Sequence, residues 1–147
     1  MIRTEADIRA MTDYELYIGD FQDASRPEKL REIGVDSVLK LTYQYPDEGY
    51  PDSVEVHEFS MTDGPQNEYE IFVEAVKRLL ELFGNGDTVF AHCNAGMSRS
   101  PTVSAAAIAL HEEVEFKSAL DTIRESRNIK PHPALLKQGN DVVRELR

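Results

Sequence analysis

Thr88-Val89-Phe90-Ala91-His92-Cys93-Asn94-Ala95-Gly96-Met97-Ser98-Arg99-Ser100-Pro101 is the stretch on which the fold turns. Thr88 to His92 is a short apolar run of the kind that forms a central strand. A tight loop follows Cys93. Arg99 then opens an alanine-rich helix that continues to His111 and is apolar enough to be buried on most sides. In open α/β sheets, active sites lie beyond the carboxyl ends of strands, where a strand turns into a helix N-terminus. Cys93 stands at such a junction.

Working outward, Leu16-Tyr17-Ile18-Gly19 reads as a strand. Ser25-Arg26-Pro27-Glu28 has the form of a capping box with proline in the first turn, and Gly34 ends that short helix. Asp36 to Thr42 and Ser53 to Ser60 alternate as strands do, separated by a loop over 43–53 with two prolines, a glycine and three tyrosines. Asn67 opens a long helix to about Phe83, with Ile71, Phe72, Ala75, Val76, Leu79, Leu80 and Phe83 at helical spacing. Two more helices are expected at about 115–127 and 133–146. Strands alternating with helices predict a three-layer α/β/α domain around a central, mostly parallel mixed sheet of about four to five strands.

The chain has 147 residues, the size of one domain, and the expectation is a single domain over 1–147. Sixteen Lys plus Arg against 27 Asp plus Glu leave a net charge of −11, which argues against a nucleic-acid partner. Arg outnumbers Lys by ten to six; this acidic balance suits a high-salt cytoplasm, though ordinary acidic proteins share it. No window approaches the roughly 18 apolar residues of a membrane span, and Met1 to Asp7 lack the apolar run of a signal peptide. The expectation is therefore a cytoplasmic protein with no membrane partner. One cysteine excludes an internal disulfide and a multi-thiolate zinc site, and no metal or other cofactor is called for.

The loop after Cys93 has the chemistry of an anion site. Backbone N–H groups from Asn94, Ala95, Gly96, Met97 and Ser98 can turn inward, the helix behind them adds its dipole, and Gly96 permits a conformation a Cβ would resist. Arg99 offers a planar fork that matches two phosphate oxygens. The same surroundings favour the thiolate of Cys93, which can attack phosphorus in line. From Thr88 to His111 there is no Asp or Glu, so no repulsive neighbour lies close in sequence. Asp63, within Met61-Thr62-Asp63-Gly64-Pro65, is the candidate general acid, then the base for water. Asp87 sits at the far end of the same strand as Cys93 and is excluded on geometry. Ser100 can donate to the Cys93 sulfur or cap the helix. Ser98 stiffens the loop or faces substrate, and His92 hydrogen-bonds within it. His57, His111 and His132 read as surface or packing residues, and the 43–53 loop as a solvated loop or substrate rim.

His92-Cys93-x-x-Gly96-x-Ser98-Arg99-Ser100, with Asp63 30 residues upstream of Cys93, resembles the cysteine-dependent dual-specificity protein phosphatases. The likeness extends to Leu16–Gly19, Leu30 to Leu39, and Ile129-Lys130-Pro131-His132-Pro133 before Leu136 and Gln138. It implies a phosphate-binding loop at the strand-to-helix junction, Cys93 as nucleophile, Arg99 as phosphate clamp, Asp63 as general acid and Ser100 as thiolate partner. His92 would fix the loop and tune the thiol. The implied substrate is a phosphoprotein. The neutral Asn94 and Met97 differ from the lysine-bearing loops of phosphoinositide phosphatases. A nucleotide, lipid or glucan phosphate, and a phosphate-binding module without turnover, remain the alternatives.

Overall fold

A computed structural model describes residues 15–147. The readings of Met1 to Asp7, and of residues 1–14 as part of the single domain, lie outside the described residues. In chain order the elements are β1 (Glu15–Gly19), α1 (Phe21–Ala24), α2 (Pro27–Ile33), β2 (Ser37–Lys40), β3 (Glu55–Glu58), α3 (Tyr69–Gly84), β4 (Thr88–His92), α4 (Arg99–Glu112), α5 (Phe116–Ser126) and α6 (Pro133–Leu146). The four strands form one sheet in the order β1-β4-β2-β3, and every described pairing in it is parallel.

Strand alternation sorts the apolar residues into two cores, one on each face of the sheet. Tyr17, Val38 and Phe90 face α1 and α2, meeting Ala24, Leu30 and Val35. Leu16, Ile18, Leu39, Val89 and Ala91 face the larger layer of α3 to α6, against Phe72, Val76, Leu79, Val103, Ala106 and Leu135. These are the three expected layers. Helix α4 lies in the middle of the larger one, with every residue from Ser100 to Ala109 buried.

Local signals decide where elements begin and end. Gly34 caps α2 in the left-handed region at φ 84°, as its position predicts. The capping box is elsewhere than expected. Asp20 and Asp23 form it, each carboxylate accepting the other's backbone N–H at 2.8 and 3.2 Å. Ser25 instead ends α1, its hydroxyl donating to Phe21 O, and Arg26 starts α2 without a side-chain cap. The shift has a local cause: Ser25 is the C-cap of α1, so the N-cap position of α2 falls one residue later, on Arg26.

Parallel register carries all four strands toward the same edge. Gly19 pairs with His92 and Lys40 with both His92 and Glu58. The loops after β1, β2, β3 and β4 therefore gather at one end, around Cys93.

Candidate active site

The loop from Cys93 to Ser98 is laced to its surroundings through its carbonyls. Asn94 O accepts from Phe21 N at 2.8 Å, Gly96 O from Arg127 Nε at 2.8 Å, Met97 O from Lys130 N at 2.8 Å and Ser98 O from Thr102 N at 3.0 Å. With these carbonyls turned outward, the N–H groups are left to face the interior of the loop. Among the described residues, no N–H from Asn94 to Ser98 donates to a protein acceptor. Backbone donors are rarely left unspent, and successive inward amides make an anion-binding concavity. Gly96 makes this curvature possible. Its φ is 69°, and a Cβ built there would stand 2.7 Å from Gly19 O.

Side chains brace the same loop. Asn94 Oδ1 accepts from Thr42 Oγ1 at 2.8 Å, and Ser98 Oγ accepts from His132 N at 2.8 Å. Ser98 is thus buried and tied down, which favours the stiffening side of its two expected roles. Arg127, itself buried, joins Gly96 O to Ile18 O of β1, donating to the latter at 2.8 Å. Nothing in the sequence reading singled out Arg127; its partners are carbonyls, which leave no signature in side-chain spacing.

At the centre, Cys93 Sγ lies 3.3 Å from Ser100 Oγ, and both residues are buried. Arg99 directs Nη1 to Met61 O at 3.0 Å, while its Nε is buried without a partner among the described residues. His92 is fully buried, with Nδ1 3.3 Å from Cys93 O and Nε2 2.8 Å from Tyr50 Oη. Burial pushes its imidazole down to about 4, outweighing the bond to Cys93 O that favours the cation. The ring is neutral at ordinary pH. Burial also pushes the Tyr50 phenol up, so it keeps its proton and donates to Nε2. Nδ1–H is then the donor to Cys93 O.

Lys40, paired with His92 across the sheet, is fully buried. Its ammonium donates to Thr42 O and to Glu58 Oε2 at 2.9 Å, and sits 4.2 Å from the Tyr45 ring centroid. Tyr45 Oη donates to Glu58 Oε1 at 2.6 Å, and this bond, with Lys40 second, holds the Glu58 carboxyl below its ordinary range. So 43–53 is a loop as read, but Tyr50 within it is half-buried and bonded to the site.

Asp63 is exposed and makes no hydrogen bond among the described residues. Its loop is fixed at both shoulders. Met61 O holds Arg99, and Thr62 N donates to Asn67 Oδ1 at 3.0 Å. Asn67 in turn exchanges two bonds with Gln138 of α6, at 2.9 and 2.8 Å. The structure thus brings the loops of Asp63 and Cys93 together through Arg99. Asp87 is at the other end of β4, accepting from Ser37 Oγ at 2.8 Å, as the strand geometry requires. Among the described residues there is no cluster of three or more His, Cys, Asp or Glu that could hold a metal ion.

Residues 16–142 match the family described as dual specificity phosphatase, catalytic domain. Human dual specificity protein phosphatase 22 is 33% identical over 116 residues, covering 77% of this chain and 61% of that protein. Human dual specificity protein phosphatase 9 is 29% identical over 136 residues, covering 90% of this chain and 35% of that protein. The chain therefore spans about a third of the length of some curated relatives and under two thirds of others. The crystal structure of human DUSP28 superposes with a TM-score of 0.79 at 20% identity, covering 89% of each chain, and so shares the fold. With the family matched from the first strand into the last helix, the chain belongs to the dual specificity phosphatases through their catalytic domain.

Proposed function

We propose that this protein hydrolyses phosphotyrosine and phosphoserine or phosphothreonine monoesters of proteins through a phosphocysteine intermediate, without a metal. One observation carries the reading: among the described residues the N–H groups of Asn94, Ala95, Gly96, Met97 and Ser98, in the loop that follows the buried Cys93, and the buried Arg99 Nε all lack an acceptor. A tetrahedral phosphoryl dianion satisfies donors arranged in this way.

In the first step, the Cys93 thiolate attacks phosphorus. The S–P bond forms as the bond to the substrate oxygen breaks, and Asp63 gives that oxygen its proton. The amides and Arg99 hold the three equatorial oxygens, supplying what other phosphoryl-transfer enzymes draw from magnesium. In the second step, Asp63 takes a proton from water, whose oxygen attacks phosphorus as the S–P bond breaks. Ser100 donates to the departing thiolate across the 3.3 Å contact. His92 holds the Cys93 carbonyl, supporting the loop from behind.

A phosphoprotein substrate is supported by the names of the relatives, which are protein phosphatases. The net charge of −11 speaks against nucleic acid, and no described helix is long and apolar enough to cross a membrane. A reactive lone thiol suits the reducing cytoplasm. The acidic composition suits a high-salt one.

The test is hydrolysis of an aryl phosphate in EDTA by wild type and Cys93→Ser, in dilute buffer and in molar KCl. Turnover lost in Cys93→Ser, with a phosphoprotein preferred over nucleotide, lipid and glucan phosphates, is the expected result. Binding of phosphate without turnover would replace this reading with that of a phosphate-binding module.

A further inference from the structure

His132 stands where α6 meets both loops of the site. Its backbone N–H donates to Ser98 Oγ of the phosphate loop at 2.8 Å. Its carbonyl accepts from Leu135 N at 2.9 Å, closing the first turn of α6. Its ring caps that helix, Nδ1 accepting from Ala134 N at 3.0 Å. This bond fixes the tautomer, because a ring nitrogen that accepts a hydrogen bond carries no proton, so the hydrogen of the neutral ring is on Nε2. Nε2 makes no hydrogen bond among the described residues. It faces the Asp63 loop: a Cβ built on Gly64 would lie 3.9 Å from it. Asp63, the neighbour of Gly64, also makes no hydrogen bond among the described residues. A donor of fixed direction therefore lies against a short loop that carries an acceptor with nothing to accept from.

We propose that His132 is a positioning residue for Asp63: its Nε2–H donates to one oxygen of the Asp63 carboxyl and leaves the other to serve the leaving group. This rests on the phosphatase reading above and adds to it the element that aims the acid. The backbone of the loop is already held by Asn67 and Gln138, one to two turns further along α6. Those bonds fix the loop but not the rotamer of an exposed aspartate. An imidazole anchored at Nδ1 does what a flexible donor cannot, because its Nε2–H direction is set by the helix it caps. The same residue, through Ser98, ties the acid loop to the phosphate loop, so the proton and the phosphorus are placed from one helix end.

The experiment compares wild type, His132→Asn, Asp63→Asn and the double variant. Asparagine retains the helix cap but is too short to reach Asp63. The substrates are phenyl phosphate, whose leaving group needs a proton, and 2,4-dinitrophenyl phosphate, whose leaving group does not. His132→Asn is expected to lower kcat/KM, which reads the first step alone, by about tenfold on phenyl phosphate, part of the roughly 10²–10⁴-fold a general acid supplies, and to leave kcat/KM on dinitrophenyl phosphate within about twofold. In the Asp63→Asn background it is expected to change neither. Equal loss on both substrates, or the same loss with Asp63 already replaced, would overturn the proposal and make His132 a helix cap alone. A second readout needs no turnover: the Nε2 resonance of His132 in a long-range ¹H–¹⁵N spectrum should move in Asp63→Asn. An unmoved resonance overturns the contact. Activity that survives Cys93→Ser would instead overturn the phosphocysteine reading on which this proposal rests, and the spectrum would still decide the contact.

Discussion

Lowering the pH should destabilise this protein through one imidazole. His92 is fully buried, and burial carries its ionisation from the ordinary 6.5 down to about 4, with the Lys40 and Arg99 cations acting in the same direction. Above pH 6.5 the ring is neutral in both folded and unfolded chains, so it costs nothing. Below 6.5 the unfolded chain takes up a proton that the folded chain refuses, and stability falls until the folded ring also titrates near pH 4. A difference of 2.5 units at about 1.36 kcal/mol each gives about 3 kcal/mol, a large part of the roughly 5–15 kcal/mol that holds a domain together. The ring is shielded from solvent, so little of this is lost to screening. The assay is urea unfolding followed by circular dichroism at pH 7 and pH 4, for wild type and His92→Gln. Wild type is expected to lose about 3 kcal/mol more than the variant over this interval, the shared carboxylate titrations cancelling. An imidazole proton resonance of His92 that titrates near 6.5, or parallel pH dependences in the two proteins, would refute the reasoning.

Three further outcomes follow from the same geometry. Tyr50→Phe removes the only donor to His92 Nε2 shown among the described residues and should cost about 1–3 kcal/mol in urea unfolding, the penalty for a buried acceptor left unpaired. Gly96→Ala places a Cβ against Gly19 O at a positive φ and should cost roughly 2 kcal/mol or more; with the loop displaced, phosphate-ester turnover should fall with it. Arg127→Met leaves Gly96 O and Ile18 O without their donor, so it should lower stability by about 2–3 kcal/mol and weaken inhibition by inorganic phosphate.

Much of the fold was readable because the chain is locally consistent. The apolar run Thr88 to His92 is strand β4 with those bounds, and the helical spacing from Ile71 to Phe83 lies within α3. The glycine at 34 caps the helix it was expected to end. Parallel neighbours were readable only in outline, because strand order depends on crossovers that spacing does not record. The site divides in a similar way. Cys93, Ser100 and Arg99 are close in sequence, so their meeting follows from one loop and one helix turn. Tyr50 and Lys40 were hidden for opposite reasons. Tyr50 sits in a stretch of prolines and acids that reads as solvated, and a lysine ending a strand reads as exposed. Burial of both depends on Glu58 and His92 arriving from other strands. His132 read as a surface or packing residue because a helix cap on a Pro-flanked histidine needs its ring to turn back onto Ala134, which spacing alone does not show.

The bracing of the loop from Cys93 to Ser98 also orders events in time. Its two edges come from Phe21 and from Arg127 to His132, more than a hundred residues apart. β1 cannot close the sheet until β4 exists to receive it, since Glu15 pairs with Thr88. Chains dominated by such distant pairings fold slowly. During synthesis the thiol of Cys93 emerges well before Arg127, His132 and Gln138. The nascent chain should therefore carry Cys93 in an unbraced loop, and complete the bracing only once the segment from Arg127 to His132 has docked.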